Sequence, residues 1–166
     1  KTKDKRQKTK DKRQKTKDTK TKDNWRTRMK WKKFNEAVID EFRREGGKVA
    51  RFGDLPLVVL QTISAVSKQR LDVPLIPVFS QASMFVFATN AGSQRDPDWV
   101  ANLRYQPQVM IEHNGSVTLA SIEELSRADA DALLHAQAID SAQLQGYLSA
   151  AAPRQVPVFE VKIRSS

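Results

Sequence analysis

Cysteine is absent from this 166-residue chain. That excludes disulfides, thiolate-bound metals and a cysteine nucleophile together. Its two histidines, His113 and His135, fall on separate predicted elements with no ligand spacing between them, so a zinc or iron centre is not expected. No G-x-S-x-G elbow surrounds Ser64, Ser67 or Ser93, and neither a G-x-G-x-x-G nor a Walker turn occurs; a serine hydrolase and the common nucleotide-binding loops are not supported. No run reaches the ~18 consecutive apolar residues of a membrane span. The first residues also lack the apolar stretch of a secretory signal. These absences, cysteine included, fit a cytoplasmic protein.

Charge is plentiful but unevenly placed. The net formal charge is +10, yet residues 1–33 hold 17 lysines and arginines against four aspartates, and the remainder holds 12 basic against 15 acidic residues. The body is therefore slightly acidic, which weighs against nucleic acid as its partner. The basic stretch is a tandem repeat: K-T-K-D-K-R-Q stands at Lys1–Gln7 and again at Lys8–Gln14, with no apolar residue before Trp25. Such a segment cannot bury enough surface to offset the entropy of ordering, so residues 1–30 are predicted to be a disordered Lys-rich tail. Without aromatic residues in the repeats, base stacking has no support there. Contact with an anionic membrane does, at about 1 kcal/mol per basic residue near the surface. A competing expectation places the native start at Met29, with the repeat arising upstream of it.

Residues 31–166 read as one domain. Phe34, Val38, Ile39 and Phe42 recur at helical spacing, and Gly46-Gly47 ends that helix. Strands are expected at Leu57–Ile63, at Val73–Phe79 and at Ser83–Thr89; Pro74 and Pro77 place the second at a sheet edge or a bulge. Asn114-Gly115 joins Gln108–His113 to Ser116–Ile122 as a hairpin. Two helices follow, from about Ser126 to Ala138 and from Ser141 to Ala151, and Val156–Ile163 closes the order as a strand. Asp129, Asp131, Glu123 and Glu124 read as a solvated face and cap. With about six strands and few βαβ units, the class is α+β, a mainly antiparallel barrel-like sheet with flanking helices.

The stretch most suggestive of chemistry runs from Ala88 to Pro107, A-T-N-A-G-S-Q-R-D-P-D-W-V-A-N-L-R-Y-Q-P. It leads from a strand through a glycine loop with one basic residue into a short helix. Asp96 is expected to cap that helix, Pro97 to open it and Asp98 to favour its positive end. Backbone N–H groups after Asn90 and the guanidinium of Arg95 would then offer an anion site. An ordinary capped helix after a strand is the plainer alternative. Trp99 could wall such a site or belong to the core, and Asn102, one turn on, is expected to tie the helix to a neighbouring loop.

Asn90, Gly92, Arg95, Pro97, Trp99, Asn102 and Pro107 resemble the pattern of the deazaflavin-dependent nitroreductase family. The helix Phe34–Val49 is similar to that family's opening helix, and the resemblance spans Trp31 to Ile163. It implies a split β-barrel that binds coenzyme F420 and passes its hydride to a quinone-like or nitro-aromatic acceptor. It implies as cofactor-binding residues Asn90, Gly92, Arg95 and Trp99. Where the family carries a Gly-Arg-Lys-Ser/Thr-Gly phosphate turn, this chain has Ser64-Ala65-Val66-Ser67-Lys68; Ser67 remains, and Lys68 and Arg70 are candidates for displaced positive charge. The residue after Trp99, commonly a pocket tyrosine, is Val100, and Ala101 stands where His is frequent. No catalytic residue is assigned, because hydride chemistry belongs to the cofactor. Two alternatives stay open: a flavin mononucleotide user on the same barrel, and a degenerate split-barrel binding module without redox activity. Related barrels often pair, so a homodimer is expected.

Overall fold

Amphipathic spacing starts the described structure: a computed structural model describes residues 26–164, and residues 26–44 form helix α1. The tail expected over residues 1–25 lies outside the described residues, and residues 26–30 are helical rather than part of a tail. The chain divides into two units, one ending at Asp40 and one beginning at Glu41. In the first, Trp31 and Phe34 stack edge to face with ring centroids 5.6 Å apart.

The second unit is built on one seven-stranded sheet in the order β2-β1-β5-β6-β7-β4-β3. Its strands are β1 (Val58–Ile63), β2 (Arg70–Leu75), β3 (Val78–Ser80), β4 (Ser83–Phe87), β5 (Gln108–His113), β6 (Ser116–Glu124) and β7 (Val158–Ile163). Every pairing is antiparallel, and the sheet curls into the split barrel that the sequence led us to expect. The run read as one strand over Val73–Phe79 is two, β2 and β3, at opposite ends of the strand order. Its two prolines explain this: Pro74 lies in edge strand β2, where the missing N–H takes nothing from a ladder, and Pro77 separates the strands. Asn114 (φ 49°) and Gly115 (φ 74°) are both left-handed, as a two-residue hairpin between β5 and β6 requires.

Helix α2 (Asp98–Tyr105) drives Trp99, Val100 and Leu103 into the barrel core, beside Leu60, Ile111 and Phe159. Burial of each of these side chains contributes about 1.5–3 kcal/mol. Helices α3 (Arg127–Ala138) and α4 (Ala142–Ala151) cover a second apolar cluster that includes Leu134, Val156 and Val158. Both begin as read: the Ser126 hydroxyl accepts from Asp129 N–H and the Ser141 hydroxyl from Leu144 N–H.

The sheet face carrying Gln61, Asp72 and Glu112 holds an ionic cluster. Arg43 donates from Nε to Glu112 (2.9 Å) and from Nη2 to Asp72 (2.6 Å), Gln61 donates to Glu112 (3.0 Å), and Arg70 makes a forked pair with Asp72 (2.7 and 2.9 Å). The Arg43 bond holds Glu112 below the usual carboxylate range, and the Arg70 bond does the same for Asp72.

Candidate functional site

The loop between β4 and α2 is built from three consecutive left-handed residues, Asn90 (φ 47°), Ala91 (φ 50°) and Gly92 (φ 80°). For an L side chain that conformation costs roughly 1–2 kcal/mol per residue, so neighbouring structure must enforce it. Locally, Gly92 N–H donates to Thr89 O and Ser93 N–H to Asn90 O, both at 2.9 Å, while Asn90 Nδ2 donates to Arg95 O at 2.8 Å. Gly92 is buried against α4: a Cβ on it would stand 2.8 Å from Ala150 Cβ. Only glycine fits both the angle and the space.

Arg154 closes the loop from the other side. It donates from Nε to Ser93 O (2.9 Å), from Nη1 to Ala88 O (3.1 Å) and Asp96 Oδ1 (2.6 Å), and from Nη2 to Thr89 O (2.8 Å). Gln94 adds two bonds from Nε2, to Ala150 O (2.6 Å) and Ala152 O (3.0 Å), at the C-terminus of α4. The expectation that Asp96 caps α2 is therefore corrected. Pro97 occupies the N-cap position, no side chain caps the helix, and the Asp96 carboxylate pairs with Arg154 instead. A guanidinium with a side chain only 10% exposed is a stronger claimant on a carboxylate than neutral backbone N–H groups.

The loop leaves one cation turned outward. Arg95 is exposed, and its guanidinium has no carboxylate partner among the described residues. It stands three residues before α2, whose first turn carries Asp98. Trp99 is buried in the core, edge to face with Phe159 at 5.6 Å between centroids, so it anchors the start of α2.

The β1–β2 turn has a different character. Ser64 Oγ accepts from the N–H groups of Val66 (3.3 Å) and Ser67 (3.1 Å), and Ser67 Oγ from Gln69 N–H (3.4 Å). Amides that could cradle an anion are thus occupied by the turn's own hydroxyls. Lys68, itself left-handed (φ 61°), donates from Nζ to Ala65 O at 2.6 Å and lies 3.7 Å from the centroid of the Tyr105 ring. Arg70 is engaged by Asp72. Among the described residues, a shallow groove of about 290 Å³ opens beside Arg70, floored by Met110 and Leu119.

Asn102 links the two regions as expected. Buried in α2, it accepts from Ala65 N–H (3.0 Å) and donates to Thr62 Oγ1 (3.1 Å). Arg104 then pins the last turn of α2 to β6 by a forked pair with Glu124 (2.8 and 2.6 Å). The structure thus sets Asn90, Gly92 and Arg95 at the start of α2 and Ser67 and Lys68 beside its second half. At 1.5 Å rise per residue the helix between them is about 12 Å long. Sequence reading missed Arg154 and Gln94, and the nearest signal was an arginine between two prolines, Pro153 and Pro157. No group of His, Cys, Asp and Glu suited to a metal occurs among the described residues. Nor is any helix among them long and apolar enough to cross a membrane.

Comparison with known proteins follows the same lines. The solved F420-H2 dependent reductase (FDR-A) is 23% identical, with a TM-score of 0.55 over 64% of this chain and 94% of its own. A chain solved as a domain-swapped dimer is 22% identical, with a TM-score of 0.57 over 81% of this chain and 98% of its own. These likenesses establish the fold. No curated protein matches. The profile of F420H(2)-dependent quinone reductases matches residues 33–162, a span that takes in all of the sheet but Ile163, the Asn90–Arg95 loop and all of α2 to α4. The chain therefore belongs to the F420H(2)-dependent quinone reductase family, oxidoreductases whose cofactor is the deazaflavin coenzyme F420.

Proposed function

We propose that this protein passes a hydride from reduced F420 to a quinone-like or nitro-aromatic acceptor, with the cofactor phosphate held at the Asn90–Arg95 loop. When bound, F420 supplies the hydride chemistry, which leaves the protein to bind, orient and exclude water. The observation that carries this reading is the outward guanidinium of Arg95, without a carboxylate partner among the described residues, on a loop locked in a left-handed run. Such a cation is suited to a charge-assisted bond with phosphate. Asn90 and Gly92 shape the loop. Ser67, Lys68 and Arg70 form a second line of candidates: the Ser67 hydroxyl can still donate, Lys68 would have to leave Ala65 O, and Arg70 would have to share its charge with Asp72. Trp99 contributes by fixing α2 rather than by touching the cofactor ring.

Titration of F420 into the full chain, followed by cofactor fluorescence, tests this reading. Loss of one charge-assisted hydrogen bond is worth about 1.5–3 kcal/mol, so Arg95→Ala should weaken binding by about 10- to 150-fold. Unchanged affinity in Arg95→Ala would remove the loop from the phosphate site. Tight binding of flavin mononucleotide in place of F420 would change the cofactor, and binding of neither would favour the non-redox module.

A second copy of the chain is the partner this reading expects, in line with the neighbour solved as a domain-swapped dimer. Residues 31–166 are read as the cytoplasmic cofactor-binding domain, and the basic residues 1–30, the last five of which open α1, as a contact for anionic lipid. Co-sedimentation with phosphatidylserine vesicles that persists after removal of the residues before Met29 would rule out that role for the tail.

A further inference from the structure

We infer that Arg154 is a positioning residue for the cofactor: the α4–β7 corner holds the Asn90–Arg95 loop in its binding posture, and so sets the affinity for F420. The inference rests on the reading of that loop as the phosphate holder. Arg154 brackets the left-handed run. Two of its acceptors, Ala88 O and Thr89 O, precede the run; a third, Ser93 O, follows it; and the fourth, the Asp96 carboxylate, lies just before α2. Three nitrogens of one planar fork thus fix both ends of a segment whose backbone would otherwise relax out of the left-handed region. Gly92 packed on Ala150 and Gln94 bonded to the carbonyls of Ala150 and Ala152 add two further ties to the same corner. The Asp96 carboxylate also neutralises Arg154, which leaves Arg95 as the cation that the loop presents. Arg154 itself is nearly buried, with its donors committed to protein acceptors, so it acts through the loop and not on the ligand.

Arg154→Gln and Arg154→Lys in the full chain test this, with F420 binding followed by fluorescence and amide exchange measured on the ligand-free protein. A lysine keeps the charge but not the fork. Both variants should therefore bind F420 at least tenfold more weakly and exchange faster over residues 90–95, with β1, β5 and β6 as protected as in the parent. A general loss of structure would raise exchange in those strands as well. Rescue of affinity by Arg154→Lys, or loop exchange equal to that of the parent, would overturn the positioning role. Faster loop exchange with unchanged affinity would show that loop posture does not set binding. Should neither variant fold, Asp96→Asn carries the test: a loss of threefold or more in affinity supports the inference, and parent-like affinity refutes it. Failure of the parent reading is separately visible, because Arg95→Ala would then bind F420 normally while Arg154→Gln still loosened the loop.

Discussion

Replacing Gly92 by alanine puts two physical costs into one methyl group. The first is conformational: at φ +80° an L residue is held in the left-handed region at roughly 1–2 kcal/mol. The second is steric. The new Cβ would stand 2.8 Å from Ala150 Cβ, 3.2 Å from Tyr147 O and 3.4 Å from Tyr147 Cα, whereas non-bonded carbons rest about 3.5–4.0 Å apart. Overpacking of this kind typically costs 1–3 kcal/mol, so Gly92→Ala should destabilise the fold by about 2–5 kcal/mol. Gly115→Ala isolates the first cost, since Gly115 has φ +74° but nothing within 4 Å of its added Cβ; it should lose only about 1–2 kcal/mol. Guanidinium unfolding followed by the fluorescence of buried Trp99 measures both, provided the slopes agree. Adding Ala150→Gly to Gly92→Ala should recover part of the steric cost and show favourable coupling above about 0.5 kcal/mol. Equal losses in Gly92→Ala and Gly115→Ala, with no coupling to residue 150, would refute the close approach of the loop to α4.

Two other perturbations probe the supports of the site. Asn102→Ala removes the acceptor of the half-buried Ala65 N–H and one of the two partners of the Thr62 hydroxyl, which keeps its bond to Leu71 O, and should cost about 1–3 kcal/mol; thermal unfolding within half a kcal/mol of the parent would contradict that bonding. Glu112 and Asp72 have folded pKa values lowered first by Arg43 and by Arg70 respectively. Their contribution to stability is thus complete above the ordinary carboxylate range and lost as pH falls through that range towards the lowered folded values. Glu112→Gln should lose about 1–2 kcal/mol at pH 7, below the figure for a fully buried pair because the Arg43 side chain is 42% exposed. It should also show a flatter decline than the parent below about pH 4.5. Urea midpoints from pH 7 to pH 3 check both, and an acid limb as steep as the parent's would count against the cluster.

Features governed by neighbouring residues were legible in the sequence. Asn114-Gly115 demands a two-residue hairpin, Pro74 and Pro77 demand edges, and Ser126 and Ser141 stand where helix N-caps are needed. Asn102 as a tie between helix and loop was legible too, from its position one turn after a core tryptophan. Contacts set by the closing of the barrel were not. Asp96 looks like a cap until Arg154, 58 residues away, competes for its carboxylate. The turn at Ser64–Lys68 departs in sequence from the family's phosphate turn, but only its folded geometry reveals that Ser64 Oγ takes up the amides of Val66 and Ser67. Val73–Phe79 reads as one strand because a break at Pro77 and a jump across the sheet leave the same local pattern as a kink.

The strand order carries a consequence for how the protein is made. Strand β7 is inserted between β6 and β4, so that Phe87 pairs with Val158 and Met84 with Val161. Synthesis proceeds from the N-terminus at about 5–20 residues per second. The β3–β4 hairpin therefore leaves the ribosome well before the strand that will anchor it, and Arg154 emerges just ahead of that strand. Until both arrive, β4 exposes an unpaired edge and its following loop has nothing to hold its left-handed turn. Long-range strand pairs of this kind close slowly, because the loop-closure entropy is lost before the contacts form. The Asn90–Arg95 loop is consequently among the last parts of the nascent protein to take shape, and a ribosome paused before Val158 would hold two unjoined sheet fragments, β2-β1-β5-β6 and β3-β4.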